Sequence, residues 1–263
     1  MVVDKLMGSN TTMEFENGNK IIIGDDCELI NTKVKFIGRN TILKMGGRCH
    51  VANSVIEFNG SEAVAVLSSN RHNYYLNLSL NNNTAFYMGK DNYINGRLSV
   101  ILSEQKHVFF GSDCAISFGI RLRTADPHLV YDIESKQRLN PSKSIFIGDH
   151  VWIGQGALIL KGAQIGSGSI IGAGSVVAGK KIPSNTSWAG NPARLVKEGI
   201  FWSGQCVHRW TDKKTQEYQT LETDKYNFEG HAGESNQFDL FDKELSACKS
   251  ADEKMAYLFE DLS

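Results

Sequence analysis

Paired cysteines, closely spaced histidines, long apolar runs and an excess of either charge are all missing from this chain of 263 residues. Cys27, Cys49, Cys114, Cys206 and Cys248 are odd in number, scattered and without a Cys-x-x-Cys pair. That usage fits free thiols in a reducing, cytoplasmic compartment and argues against a disulfide frame or a structural zinc knuckle. No apolar run approaches the roughly 18 residues of a membrane-spanning helix, and the start, Met1 to Leu6, lacks the pattern of a signal peptide. Lys plus Arg number 28 against 29 Asp plus Glu, a net charge of -1, so no electrostatic case exists for nucleic acid. None of the seven histidines (His50, His72, His107, His128, His150, His208, His231) has another within five residues, and no metal is expected. Proline is scarce, 4 residues beside 25 glycines, which suits a backbone of many tight corners.

What is present is a period. Ile147, Ile153, Ile159, Ile165, Ile171 and Val177 stand six apart, and Gly148, Gly154, Gly166 and Gly172 directly follow four of them. A helix repeats its apolar face at about 3.6 residues and a strand at 2, so neither alone gives six. Six is the period of a hexapeptide parallel β-helix, in which three short sides close a coil of about 18 residues. Coils stack at about 4.8 Å, the strand spacing. Ile147 is therefore predicted over Ile165, Ile153 over Ile171 and Ile159 over Val177, with the following glycine making the sharp corner. Weaker runs share the step: Ile37, Leu43, Cys49 and Val55; Met88, Ile94 and Val100; Ile23 and Leu29; Phe110 and Ile116. From about 62 to 85 the pattern fades around Asn77, Asn81, Asn82 and Asn83, which predicts irregular coil with edge-strand character.

The register breaks once more sharply. Ile116 and Ile147 are 31 apart, not a multiple of six, so the chain is expected to leave the coil as a loop over about 117–144. Loops on rigid scaffolds are where chemistry collects. This one holds His128, with Asp126 and Asp132 nearby and Arg121, Arg123 and Arg138 around them. An imidazole there can take a proton from an attacking hydroxyl, usually worth about 10²–10⁴ in rate. A carboxylate on its other nitrogen would fix the tautomer; spacing does not choose between the two aspartates. Spacing alone favours a solvent-facing loop histidine over a catalytic one.

The repeat fills residues 1–198, and 199–263 form a separate extension. Phe201, Trp202, Trp210, Tyr218, Tyr226 and Phe228 are too many aromatics for a disordered tail. Residues 239–262 suggest an amphipathic helix with Leu240, Leu245, Met255, Leu258 and Leu262 as its apolar positions. The extension is expected to cap the open end of the solenoid; contact of its aromatics with a glycan is the alternative.

The hexapeptide run, the loop Thr124-Ala125-Asp126-Pro127-His128 and the tail Ala189-Gly190-Asn191-Pro192-Ala193-Arg194 together resemble the left-handed β-helix acyltransferases. The stretches from Asp126 to Asp132, Asn140-Pro141, and from Ile147 through His150-Val151-Trp152 to Gly154 are similar to bacterial capsule polysaccharide and sialic acid O-acetyltransferases. The resemblance covers 108–197 well and implies the following. The fold is all-β, a left-handed parallel β-helix with a protruding loop and a partly helical C-terminal extension. The chain forms a homotrimer with active sites between subunits. It moves acetyl from acetyl-CoA, without a metal, to a sugar hydroxyl of a bacterial surface polysaccharide. His128 is the general base, and Trp152 lines the acceptor or thioester end of the groove. Coenzyme A runs past Gly154, Gly172, Ala173 and Ser175, where a backbone donor at the oxyanion would be worth about 10²–10³. Lys180, Lys181 and Arg194 meet its phosphates. Arg121, Arg123 and Arg138 suit an acidic sugar, since a guanidinium pairs well with carboxylate.

Other readings keep the fold and change the class. An amino-sugar or xenobiotic acetyltransferase differs only in the acceptor. A γ-type carbonic anhydrase needs closely spaced histidines around zinc, which the sequence lacks. A structural or ice-binding solenoid displays ranks of threonine and leaves the His128 loop unexplained. No glycine-rich nucleotide-binding domain precedes the repeat, so an attached nucleotidyltransferase is excluded.

Overall fold

The structure is a computed structural model that describes residues 1–228 and 234–260. His231 and Leu262 lie outside the described residues. The chain winds a left-handed parallel β-helix. Each coil visits in turn a nine-stranded face, a six-stranded face and an eight-stranded face. A three-stranded sheet continues the six-stranded face toward the N-terminus, joined by a bridge between Val51 and Tyr74.

In the lower coils the predicted ladder is observed. Ile147 pairs with Ile165, Ile153 with Ile171 and Ile159 with Val177, and all six are buried. The upper coils are longer. Ile21, Leu43 and Ala65 stack at steps of 22, as do Val34, Ile56, Leu78, Val100 and Leu122. Their sides are four- or five-residue strands that alternate inward and outward, so a one-residue slip reverses a side chain. Ile37 is accordingly 70% exposed while Phe36 points inward and stacks on Phe58 at 5.2 Å. Val55 likewise yields the inward position to Ile56. Met88, Ile94, Val100, Ile23, Leu29, Leu43, Cys49, Phe110 and Ile116 are buried as the six-residue step predicts.

Residues 62–85 are regular, contrary to the expectation of irregular coil. Val64–Leu67 is buried along its whole length between Ile42–Met45 and Ala85–Met88, and Leu76–Leu80 lies inside the eight-stranded face. A strand covered on both sides reads as a continuous apolar run, which hides its period. The asparagines serve the corners. Asn81 donates to the Leu102 carbonyl, Asn82 accepts from the Ser61 N–H, and Asn83 takes a positive φ of 58°.

The glycine directly after each inward residue has another purpose than the one expected. Gly148, Gly154, Gly166 and Gly172 are not in the left-handed region; that conformation falls two residues later, at His150, Gly156, Gly168 and Gly174. Gly154 is glycine because a Cβ there would sit 2.6 Å from the Ala173 nitrogen of the next coil. Close stacking, and not the turn, demands it.

The excursion is shorter than predicted. Arg121–Arg123 remains a strand of the eight-stranded face, paired with Leu98–Leu102 and Leu158–Leu160. Thr124 is buried beneath it, and the loop proper is 125–143.

Among its described residues the extension holds three α-helices, α1 (Asp212–Glu217), α2 (Glu234–Ala247) and α3 (Ala251–Glu260). Helices α2 and α3 lie along the nine-stranded face and do not cap the solenoid's end. Leu245, Ala251 and Leu258 pack on Ile42, Val64, Val66, Ala85 and Tyr87. Phe241 sits 5.1 Å from Phe109 and 5.7 Å from Phe146. Ion pairs Lys181–Asp239 and Lys20–Asp252 fasten the two helices to the lower and upper coils. Buried Lys254 donates to the carbonyls of Glu62 and Ser250 and to the Asn83 amide oxygen. The outward apolar residues of this face explain the placement, since so large a patch is rarely left bare. Leu240 faces solvent, unlike its predicted role. The solenoid's upper end is closed by the antiparallel strands Val2–Val3, Leu6–Gly8 and Thr11–Glu14. Among the described residues no helix is long and apolar enough to cross a membrane, and all five cysteines are free thiols.

Ile159 is fully buried in the lower ladder. Ile159→Ala should cost about 2–5 kcal/mol, read as a lower urea midpoint with an unchanged slope.

Candidate active site

The loop leaves the prism at the edge between the eight- and nine-stranded faces. It returns as a narrow hairpin, with an antiparallel bridge between Tyr131 and Arg138 and the Leu139 N–H donating to the Val130 carbonyl at 2.8 Å. Asp132 makes the tip. Its carboxylate accepts from the Ser135 N–H at 2.7 Å, the Ser135 hydroxyl at 2.8 Å and the Glu134 N–H at 3.1 Å. These donors hold its carboxyl below the usual range.

Buried Asn140 clamps the base of the hairpin. Its NH₂ donates to the His128 carbonyl at 2.8 Å and to Asp126 at 3.1 Å, and its side-chain oxygen accepts from the Val130 N–H at 2.9 Å. Lys161, from the corresponding corner of the next coil, donates to Asp126 at 2.6 Å and to the Asn140 carbonyl at 3.2 Å. The ammonium first and the Asn140 amide second depress the Asp126 carboxyl. Arg138 pairs with both oxygens of Glu104 at 2.8 Å, and Glu104 also accepts from the Ser142 hydroxyl.

His128 thus sits on a backbone fixed from both sides, with its side chain exposed. Among the described residues its imidazole has no hydrogen-bond partner, and neither aspartate reaches it within the chain. Asp126 is spent on Lys161 and Asn140, and Asp132 on its own turn. Sequence reasoning offered either carboxylate as the ring's partner; within the chain, Lys161 and Asn140 engage the one and its own turn the other. Asn140, Lys161 and Glu104 were missed as positioning residues. The Asn140-Pro141 pair was visible in the sequence, but only the fold brings it under His128.

Trp152 stands elsewhere. It is 42% exposed on the six-stranded face, the face opposite the loop's edge. The remaining predicted residues divide between edges. Gly154, Gly172, Ala173 and Ser175 lie at the corner from the six- to the eight-stranded face, whereas Lys180 and Lys181 lie at the loop's own edge. The N–H groups of Gly154 and Gly172 are not free donors: they bond the Ile171 and Trp188 carbonyls. Ser175 is buried, its N–H bonded to Gly172 and its hydroxyl accepting from the Gly190 N–H. Ala173 is exposed at the same corner. Lys181 is paired with Asp239 at 2.7 Å, and Arg138 with Glu104, so neither offers a free charge. Arg121 and Arg123 point outward and have no ion-pair partner among the described residues, and Arg194 is exposed beside the last coil. Among those residues no cluster of metal-ligating side chains occurs.

A second feature escaped sequence reasoning. His150 takes a positive φ of 51° at the corner between the nine- and six-stranded faces. Its buried ring lies between Trp202 at 4.0 Å and Tyr226 at 4.2 Å, nearly parallel to both. Its ring nitrogens face the Asp113 carboxylate at 2.8 Å and the Trp202 carbonyl at 3.1 Å, and Trp202 Nε1–H donates back to the His150 carbonyl. Carboxylate and carbonyl only accept, so making both bonds requires both nitrogens to donate. The sandwich fastens residues 199–228 to the prism and brings Trp202 within 6.0 Å of Trp152.

The Glu104–Arg138 pair carries a pH dependence. Arg138 and then Ser142 lower the Glu104 carboxyl from 4.5 to about 2. A depressed carboxyl stabilises the folded state above its unfolded value and loses that contribution as pH falls toward its folded one. Urea titrations should therefore find Glu104→Gln less stable than the unmodified protein at pH 7, the gap narrowing as pH falls below 4.5 toward about 2. A gap that does not change with pH would refute the assignment.

The description "bacterial transferase hexapeptide (six repeats)" matches residues 144–179. The polysialic acid O-acetyltransferase of Escherichia coli O1:K1 / APEC is 45% identical over 97 residues, 37% of this chain and 31% of that protein. The enzyme of the same description from Neisseria meningitidis is 40% identical over 101 residues, 38% of this chain and 47% of its own. The matched stretches thus span less than half the length of these curated relatives. The solved structure of the polysialic acid-specific acetyltransferase NeuO aligns with a TM-score of 0.64 and 27% identity, over 80% of this chain and 90% of that one. The polysialic acid O-acetyltransferase OatWY, 23% identical with a TM-score of 0.61, shares the fold. The chain is a parallel β-helix with a hexapeptide-repeat segment, and over about 100 residues it is similar to polysialic acid O-acetyltransferases.

Proposed function

We propose that this protein is an acetyl-CoA-dependent O-acetyltransferase acting on a sugar hydroxyl of a bacterial surface polysaccharide. The observation that carries the proposal is the exposed, unpartnered imidazole of His128 on a loop whose backbone is clamped by Asn140. An imidazole on a fixed backbone, with no hydrogen-bond partner among the described residues, has a nitrogen available to a substrate proton. The similarity to polysialic acid O-acetyltransferases supports the reaction and the acceptor class.

In this reading His128 takes the hydroxyl proton as the sugar oxygen attacks the thioester carbonyl. The tetrahedral oxyanion collapses, the C–S bond breaks, and the imidazolium returns the proton to the departing thiolate. The products are the acetyl ester and free coenzyme A. The coenzyme would follow the corner where Ala173 is exposed and where a Cβ on Gly156 or Gly174 would meet nothing within 4 Å, with Arg194 toward its phosphates; Lys180, on the loop's own edge, could join it only across an interface between subunits. Arg121 and Arg123, unpaired and outward, would favour an acidic sugar.

Loop and Trp152 occupy opposite sides of one prism. In this reading they cooperate across an interface: the working form is a homotrimer, as the resemblance implies, in which His128 of one subunit meets the partner subunit's Trp152. With neither aspartate available within the chain, the ring's orienting group would come from the interface or the substrate.

A thiol-release assay with acetyl-CoA and a panel of glycans tests the reading. His128→Ala should lower kcat/KM by at least about a hundredfold while calorimetry finds coenzyme affinity unchanged. Near-normal turnover in that variant would refute the base assignment.

A further inference from the structure

We propose that the six-stranded face above Trp152 is a chain-binding groove that holds acceptor sugar residues away from the reacting one. The inference rests on the reading of this protein as a glycan acetyltransferase and adds a second contact region to it.

Three outward positions of this face are consecutive in register: Tyr93 opposite Ala115, and Ala115 opposite Trp152. The order is large, small, large. Tyr93 is 50% and Trp152 42% exposed, so two aromatic side chains flank a notch floored by a methyl group. At the strand spacing they stand about 10 Å apart along the prism. Above the notch a groove of about 310 Å³ is lined by His72, Asn73, Tyr75, Tyr93, Asn95 and Gly96. His72 meets the Tyr93 ring edge-on at 5.2 Å, which fixes that ring. Gly96, at φ 105°, keeps the lower wall open: a Cβ there would lie 2.9 Å from Cβ of exposed Phe118.

The chemistry of this lining suits carbohydrate. Aromatic faces take the C–H face of a pyranose while Tyr hydroxyls stay wet. Among the described residues, the side-chain amides of Asn73 and Asn95 have no partner, and each offers donors and an acceptor to sugar hydroxyls. Of the nearby guanidiniums, Arg71 lies 3.5 Å from Asp91 and 3.9 Å from Asp113, and Arg97 donates to the Asn53 carbonyl at 2.6 Å. The lining itself reads hydroxyl and C–H surface. Continuity with Trp152 fixes the occupant as the acceptor chain itself, running from the reacting sugar toward the N-terminal coils.

Isothermal titration of the full protein with a short oligosialic acid, without acetyl-CoA, reads the groove directly. Tyr93→Ala should weaken binding about tenfold, and Tyr93→Trp should restore it. In transfer assays Tyr93→Ala should raise KM for the oligomer by a similar factor, with kcat and the KM for a monosaccharide acceptor unchanged. Oligomer affinity unaltered by both Tyr93→Ala and Asn95→Ala, or no binding to the unmodified protein, would overturn the proposal. So would a change in oligomeric state on sedimentation of Tyr93→Ala, since the face would then be covered by a second copy. Tyr93-dependent binding without acetyl transfer to any glycan would leave the groove standing and sink the enzymatic reading.

Discussion

One contact repeats down the molecule: an inward side chain resting on its counterpart in the next coil, with the two backbones joined beside it. Ile147 on Ile165 and Ile153 on Ile171 are instances, and the continuation to Ile182 and Trp188 carries the ladder to the last coil. Nothing outside the stack is needed to set its geometry, because each coil buries the apolar face of its neighbour. Everything functional is attached at corners and faces, where the chain is free to vary without disturbing the column. The loop at one edge, the helices on one face and the sandwich at another corner are all additions of this kind.

The lower coils were legible because two requirements coincide there at the same step. The inward position is aliphatic, and at four of the six steps the residue after it is a glycine, small enough for the next backbone to approach. The upper coils hid their step for a physical reason. Their longer sides tolerate Asn, Asp and even Arg48 and Glu62 in the left-handed corner position, and glycine marks it at few corners, Gly96 among them. Asn and Asp reach this conformation by bonding locally, and Asn19 and Asn92 do similar service by donating to corner carbonyls.

The candidate site was legible in type and illegible in connection. His128 and its neighbours stand in one short stretch, so sequence alone names the chemical groups. The partners that matter come from afar: Glu104 precedes Arg138 by 34 positions and Lys161 follows Asp126 by 35. No local rule predicts that Asp126 answers to an ammonium one coil below and not to the imidazole two residues on. The same holds for His150, whose partners Asp113 and Trp202 lie 37 and 52 positions away.

Coil length has a consequence for shape. The perimeter shrinks from 22 residues per coil in the upper part to 18 between Ile147 and Ile165 and 17 between Ile165 and Ile182. The prism is a wedge, broad at the N-terminal end and narrow at the other.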